Sequence, residues 1–121
     1  MTENTPALLQ AVADEQARQV EKWGEQNHPD ISLYLPKDTD PERVAQSSDR
    51  IRESYARSAE DTKRTNDRIV EADQILGWDT ILLEEVYEAL EEADPEKLIV
   101  ELIQVAAVAL SYVEAIERRT K

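Results

Sequence analysis

The chain has no cysteine, no phenylalanine, one histidine and only two glycines in 121 residues. Without cysteine there are no disulfides and no thiolate metal sites. One histidine, His28, rules out a multi-histidine zinc site built by a single copy. Gly24 and Gly77 alone cannot form a glycine-rich phosphate loop. With aromatics at 5%, any core is aliphatic. Positive charge is scarce too: 14 Lys and Arg stand against 27 Asp and Glu, a formal net charge of -13. Such a chain repels a phosphate backbone, so no nucleic-acid partner is expected. Bridging metal ions would still let it handle phosphates. Met1–Gln10 lacks the basic start and apolar run of a signal peptide, which makes a cytoplasmic protein the expectation. The length fits a single domain over residues 1–121.

What is present reads as an all-α bundle of four main helices. Thr5-Pro6 opens the first, with Thr as cap and Pro at the first helical position. Leu8, Leu9, Val12, Ala13, Gln16 and Val20 recur at helical spacing up to Trp23, and Gly24 ends the run. Asn27, Pro29, Asp30, Pro36 and Asp38 mark a loop over 25–40. Asp40-Pro41 opens a second helix from Glu42 to about Ala72, with few apolar positions: Val44, Ile51, Tyr55 and Ile69. Arg43, Arg50, Arg57 and Arg64 form one stripe on it. The Glu53–Arg57 and Glu60–Arg64 pairs mark a solvated, ion-paired face, with substrate phosphates as the alternative partners for one or two of the arginines.

Gly77-Trp78-Asp79 breaks the chain again, and a third helix is expected from about Thr80 to Glu92. Asp94-Pro95 opens the fourth, which runs to about Arg119. Its centre, Leu98–Val113, is apolar nearly all round, too short and interrupted for a membrane span. No membrane partner is expected. A helix apolar on every side is a buried one, and other copies of the chain must supply part of the cover. A homo-oligomer, a dimer or a dimer of dimers, is therefore expected.

Glu101 and Gln104 interrupt that apolar helix. A buried carboxylate needs a partner, yet no Lys or Arg lies between Leu98 and Glu117. The third helix offers only more acid: Glu84, Glu85 and Glu88. The turn at Ala93-Asp94-Pro95 makes the two helices antiparallel neighbours, and positions equally far from it lie at one height. Glu88 is then level with Glu101, and Glu85 with Gln104. Each pair within a helix shares a face, so four side chains form a square. Glu84 is displaced from Glu88 by about 40° in helical phase. Carboxylates this close repel unless protonated or neutralised. A hard divalent cation, Mg²⁺ or Mn²⁺, resolves this and keeps positions open for water and phosphate.

Glu84-Glu85-Val86-Tyr87-Glu88 followed by Glu101-Leu102-Ile103-Gln104 resembles the EExxE…ExxD signature of the all-α nucleoside triphosphate pyrophosphohydrolases, the MazG-like superfamily. That superfamily includes the dimeric dUTPases and phosphoribosyl-ATP pyrophosphatase. The stretch from Arg18 through Lys22-Trp23-Gly24 to Asp30 resembles the N-terminal motif of an actinobacterial and phage subgroup. Glu101–Ala109 is similar to that subgroup's last helix. The likeness covers 16–30, 78–92 and 98–119, and no recognisable signature falls in 41–76.

The resemblance implies metal ligation by Glu85, Glu88, Glu101 and Gln104, the last standing where the wider family has Asp. An amide oxygen can ligate but brings no charge. It also implies that Glu84 orients or deprotonates the attacking water. Lys22, Trp23, Gln26 and His28 match positions where the family contacts the nucleotide. Trp offers a face for stacking, Gln an amide for a base edge and Lys a charge for phosphate; plugging the bundle end is the bland role for Trp23, and an ordinary loop position that for His28. Trp78 and Tyr112 suit apolar packing better than a base pocket.

The expected activity is Mg²⁺-dependent hydrolysis of a (d)NTP to (d)NMP and pyrophosphate. Alternatives are dUTP, an oxidised nucleotide or a guanosine polyphosphate alarmone as substrate. From another class, a non-catalytic acidic interaction protein such as a DNA mimic explains the charge but not a buried Glu101.

Overall fold

The computed structural model describes residues 1–120. They form four helices and no strand: α1 (Thr5–Trp23), α2 (Pro41–Glu71), α3 (Trp78–Glu91) and α4 (Pro95–Arg119). The all-α expectation and the order of elements hold. Two compact units divide the chain, one of Met1–Asp30 with the end of α4 from Leu110, the other of Ile31–Ala109.

In the second unit, side-chain caps set two helix starts. Asp40 Oδ2 accepts from the Arg43 N–H at 3.3 Å, and Asp94 Oδ2 from the Lys97 N–H at 3.1 Å, each ahead of a proline at the first helical position. α3 begins two residues earlier than expected, because extended Gly77 (φ -103°, ψ 163°) is the boundary and Trp78 is already helical. A Cβ at Gly77 would meet Asp79 Oδ1 at 2.8 Å, an oxygen that accepts the Thr80 N–H, also at 2.8 Å.

α2 packs along α3. Tyr55 stacks on Tyr87 with ring centroids 6.4 Å apart, and Ala59, Asn66 and Ala89 are buried. The four arginines of the stripe are exposed, and Arg64 pairs with Glu60 at 3.1 Å, the solvated arrangement.

In the first unit, α1 starts one residue earlier than a Thr5 cap would allow. Asn4 is the N-cap and makes no side-chain cap bond. Thr5 is instead buried inside the first turn, and its hydroxyl donates to Glu114 Oε2 on α4 at 3.1 Å while accepting from the Thr2 N–H. Asn4 Nδ2 donates to both carboxylate oxygens of Glu117, at 3.0 and 2.8 Å. Gly24 ends α1 at φ 74°, a left-handed conformation that favours glycine.

One expectation about α4 needs correction. By length and composition it is long and apolar enough to cross a membrane, since Glu101 and Glu114 are the only charges between Lys97 and Glu117. A helix buried in a soluble assembly meets the same test. Within one chain its apolar face is only partly covered: Ile99, Val100, Leu102 and Ile103 are 59%, 54%, 49% and 62% exposed. The apolar residues buried in one chain are Ile31, Ala59 and Ala89, among those described.

Candidate metal centre

α3 and α4 follow each other across the three residues Glu92-Ala93-Asp94. One oxygen each from Glu85, Glu88 and Glu101 lies within 4.8 Å of the others, all three residues being half-buried. The sequence-derived juxtaposition of these glutamates is therefore present. Glu85 Oε2 and Glu101 Oε2 are shut off from solvent, and no hydrogen-bond donor among the described residues reaches either. Burial is the largest influence raising the Glu85 pKa above its ordinary 4.5, followed by the charges of Glu101 and Glu84. Glu88 is raised for the same reason, burial first, then Glu85, Glu84, Glu101 and Glu91.

This donor set fits a hard divalent cation. It is all oxygen, it carries excess negative charge, and two of its buried oxygens lack the hydrogen bonds that buried carboxylates ordinarily have. Gln104, expected level with Glu85, is exposed in the single chain.

Glu84 sits beside the cluster on α3. Its Oε2 accepts from Asn66 Nδ2 at 3.3 Å, and the same nitrogen donates to the Thr80 carbonyl at 3.1 Å. Sequence reasoning missed Asn66. Its one signal was a position seven residues after Ala59, on the face that meets α3. Glu91 lies on the same helix. It is half-buried, and burial first, then Glu92 and Glu101, raises its pKa.

Three of the four residues expected at the nucleotide lie together in the first unit. Lys22, Trp23 and Gln26 line an open hollow of about 430 Å³ with Glu15, Arg18 and Gln19. Lys22 Nζ lies 4.8 Å from the centre of the Trp23 ring, and Trp23 is 61% exposed. The hollow offers an aromatic face, cations and amides at one place. His28 is exposed and does not line the hollow. Trp78 and Tyr112 are half-buried. No family model matches this chain, and neither a curated protein nor a solved structure does.

Proposed function

We propose that the chain is a metal-dependent nucleoside triphosphate pyrophosphohydrolase, converting a (d)NTP and water to (d)NMP and pyrophosphate. The observation that carries this reading is the group of three carboxylates within 4.8 Å, two with a buried oxygen and no donor. Glu85, Glu88 and Glu101 would hold Mg²⁺ or Mn²⁺, with Gln104 as a neutral fourth ligand. When bound, such a cation lowers the pKa of water and neutralises charge developing on the phosphates. Glu84, held by Asn66, orients or deprotonates the water that attacks phosphorus. Lys22 supplies a charge for phosphate, Trp23 a stacking face and Gln26 an amide for the base edge. His28, outside the hollow, is given no part in base recognition.

The protein works as a homo-oligomer in this account. The exposed apolar residues of α4 support that assembly, since a face of this kind in water calls for cover. Glu101, with a buried oxygen and grouped with two other carboxylates, runs against an acidic mimic, whose charges must be on the surface. The test is product analysis of a panel of canonical, uracil-containing, oxidised and polyphosphorylated guanosine nucleotides with Mg²⁺ and Mn²⁺. Pyrophosphate and a monophosphate from one of them support the proposal; no metal-dependent turnover of any overturns it.

A further inference from the structure

α2 meets α3 along one face. Tyr55 stacks on Tyr87, and Ala59 is buried. Two turns beyond Ala59 the same face carries Asn66, which is 7% exposed. Packing alone would accept another alanine there. The asparagine also leaves its Oδ1 buried with no hydrogen-bond partner among the described residues, and Thr80 Oγ1 is in the same condition. Buried amides with one unsatisfied end are uncommon and ask what the other end does.

The other end makes two contacts. Nδ2 donates to the Thr80 carbonyl at 3.1 Å and to Glu84 Oε2 at 3.3 Å. Thr80 and Glu84 stand one helical turn apart on α3, so one amide group spans that turn. The backbone contact fixes the amide, and the fixed amide holds the carboxylate. Glu84 adjoins Glu85 in sequence, and its charge is felt at both Glu85 and Glu88. A carboxylate in such company is driven away from the cluster by repulsion unless a donor restrains it.

We infer that Asn66 is a positioning residue: its Nδ2, anchored on the Thr80 carbonyl, fixes the Glu84 carboxylate beside the glutamate cluster. This deepens the proposed function and rests on it for the consequence on turnover. The competing role is structural only, an α2–α3 tie through Thr80 in which the contact with Glu84 is incidental.

Two measurements separate these roles, one of them independent of turnover. In the first, the side-chain amide signals of Asn66 are followed by NMR in wild type and Glu84→Ala, without metal. The expected result is a shift of these signals and faster amide-proton exchange in the variant, with the methyl signal of Ala59, on the same face of α2, unchanged. No response of the Asn66 amide overturns the inference.

The second is a double-mutant cycle of Asn66→Ala and Glu84→Ala on the best nucleotide of the panel. Asn66→Ala should lower kcat about 10–100-fold, the range seen for outer partners of a site, with KM within about twofold. In the Glu84→Ala background it should lower kcat no further, while Mn²⁺ affinity stays within about threefold throughout. An equal loss in both backgrounds, or no loss, overturns the inference while leaving the proposed function standing. If no nucleotide is hydrolysed by wild type, the proposed function falls by itself, and the NMR result still decides whether Asn66 holds Glu84.

Discussion

Glu85 on α3 and Glu101 on α4 present carboxylate oxygens within 4.8 Å of each other, and each keeps a buried oxygen that no donor among the described residues reaches. Like charges held in this way work against the metal-free fold. Their arrangement has a consequence for stability as well as for chemistry.

The consequence is a pH dependence with a defined sign. Burial first, then neighbouring glutamates, lifts Glu85 and Glu88 above their ordinary 4.5. Such groups hold a proton more tightly in the fold than in the unfolded chain. Metal-free stability therefore falls as pH rises from about 4.5 through the raised folded values. Glu114 acts in the opposite window. Hydrogen bonding by Thr2, with a further contribution from Thr5, lowers its pKa, so its contribution is lost as pH falls through the lowered value. Thermal melts across about pH 4 to 8 in chelator should show the decline on the alkaline side, and Glu85→Gln should flatten it. That variant should also gain about 1 kcal/mol, a few degrees in Tm, near neutral pH without metal. A wild-type Tm that rises steadily over this range in chelator would contradict the arrangement.

Gln104 gives a second prediction. Counting from the turn between α3 and α4 puts it level with Glu85, and if it faces the cluster a carboxylate there would add charge to it. Gln104→Asp should tighten Mg²⁺ binding about tenfold by titration calorimetry, or about 1.4 kcal/mol. Without metal the added repulsion should cost about 0.5 kcal/mol, a small value because position 104 is exposed. Equal affinity and equal stability of the two proteins would show that this side chain does not face the metal.

The third prediction concerns assembly. Ile103 is 62% and Ile99 59% exposed, and with Val100 and Leu102 they leave α4 uncovered in one chain. Light scattering at micromolar concentration should give a dimer or a dimer of dimers. Ile103→Glu should shift the protein toward monomer, because burying a charge at an apolar contact is costly. A wild-type chain that stays monomeric refutes the assembly.

The helices were legible in the sequence because their ends carry strong local chemistry. Asp40-Pro41 and Asp94-Pro95 act through their own caps, and Gly24 through its positive φ. The Glu85–Glu88–Glu101 group was legible because a short turn converts sequence distance into height along two helices. The Asn66–Glu84 contact was not, since it depends on how α2 lies against α3. Thr5 looks like a cap in the sequence for a similar reason: its partner, Glu114, is remote along the chain and turns the hydroxyl to a cross-helix bond. The apolar character of α4 is plain in its composition. Its full apolar length is not, because Glu101 and Glu114 interrupt the run without ending it.

The most direct measurement is Mg²⁺-dependent release of pyrophosphate by wild type, Glu88→Gln and Glu101→Gln on the best substrate of the panel. If the proposed ligands act as a unit, each change should cost at least about a hundredfold in kcat, and the double variant should lose little more. Circular dichroism in metal-free buffer should show both variants folded, because each removes one repelling charge. Near wild-type pyrophosphate release by both variants would contradict the account.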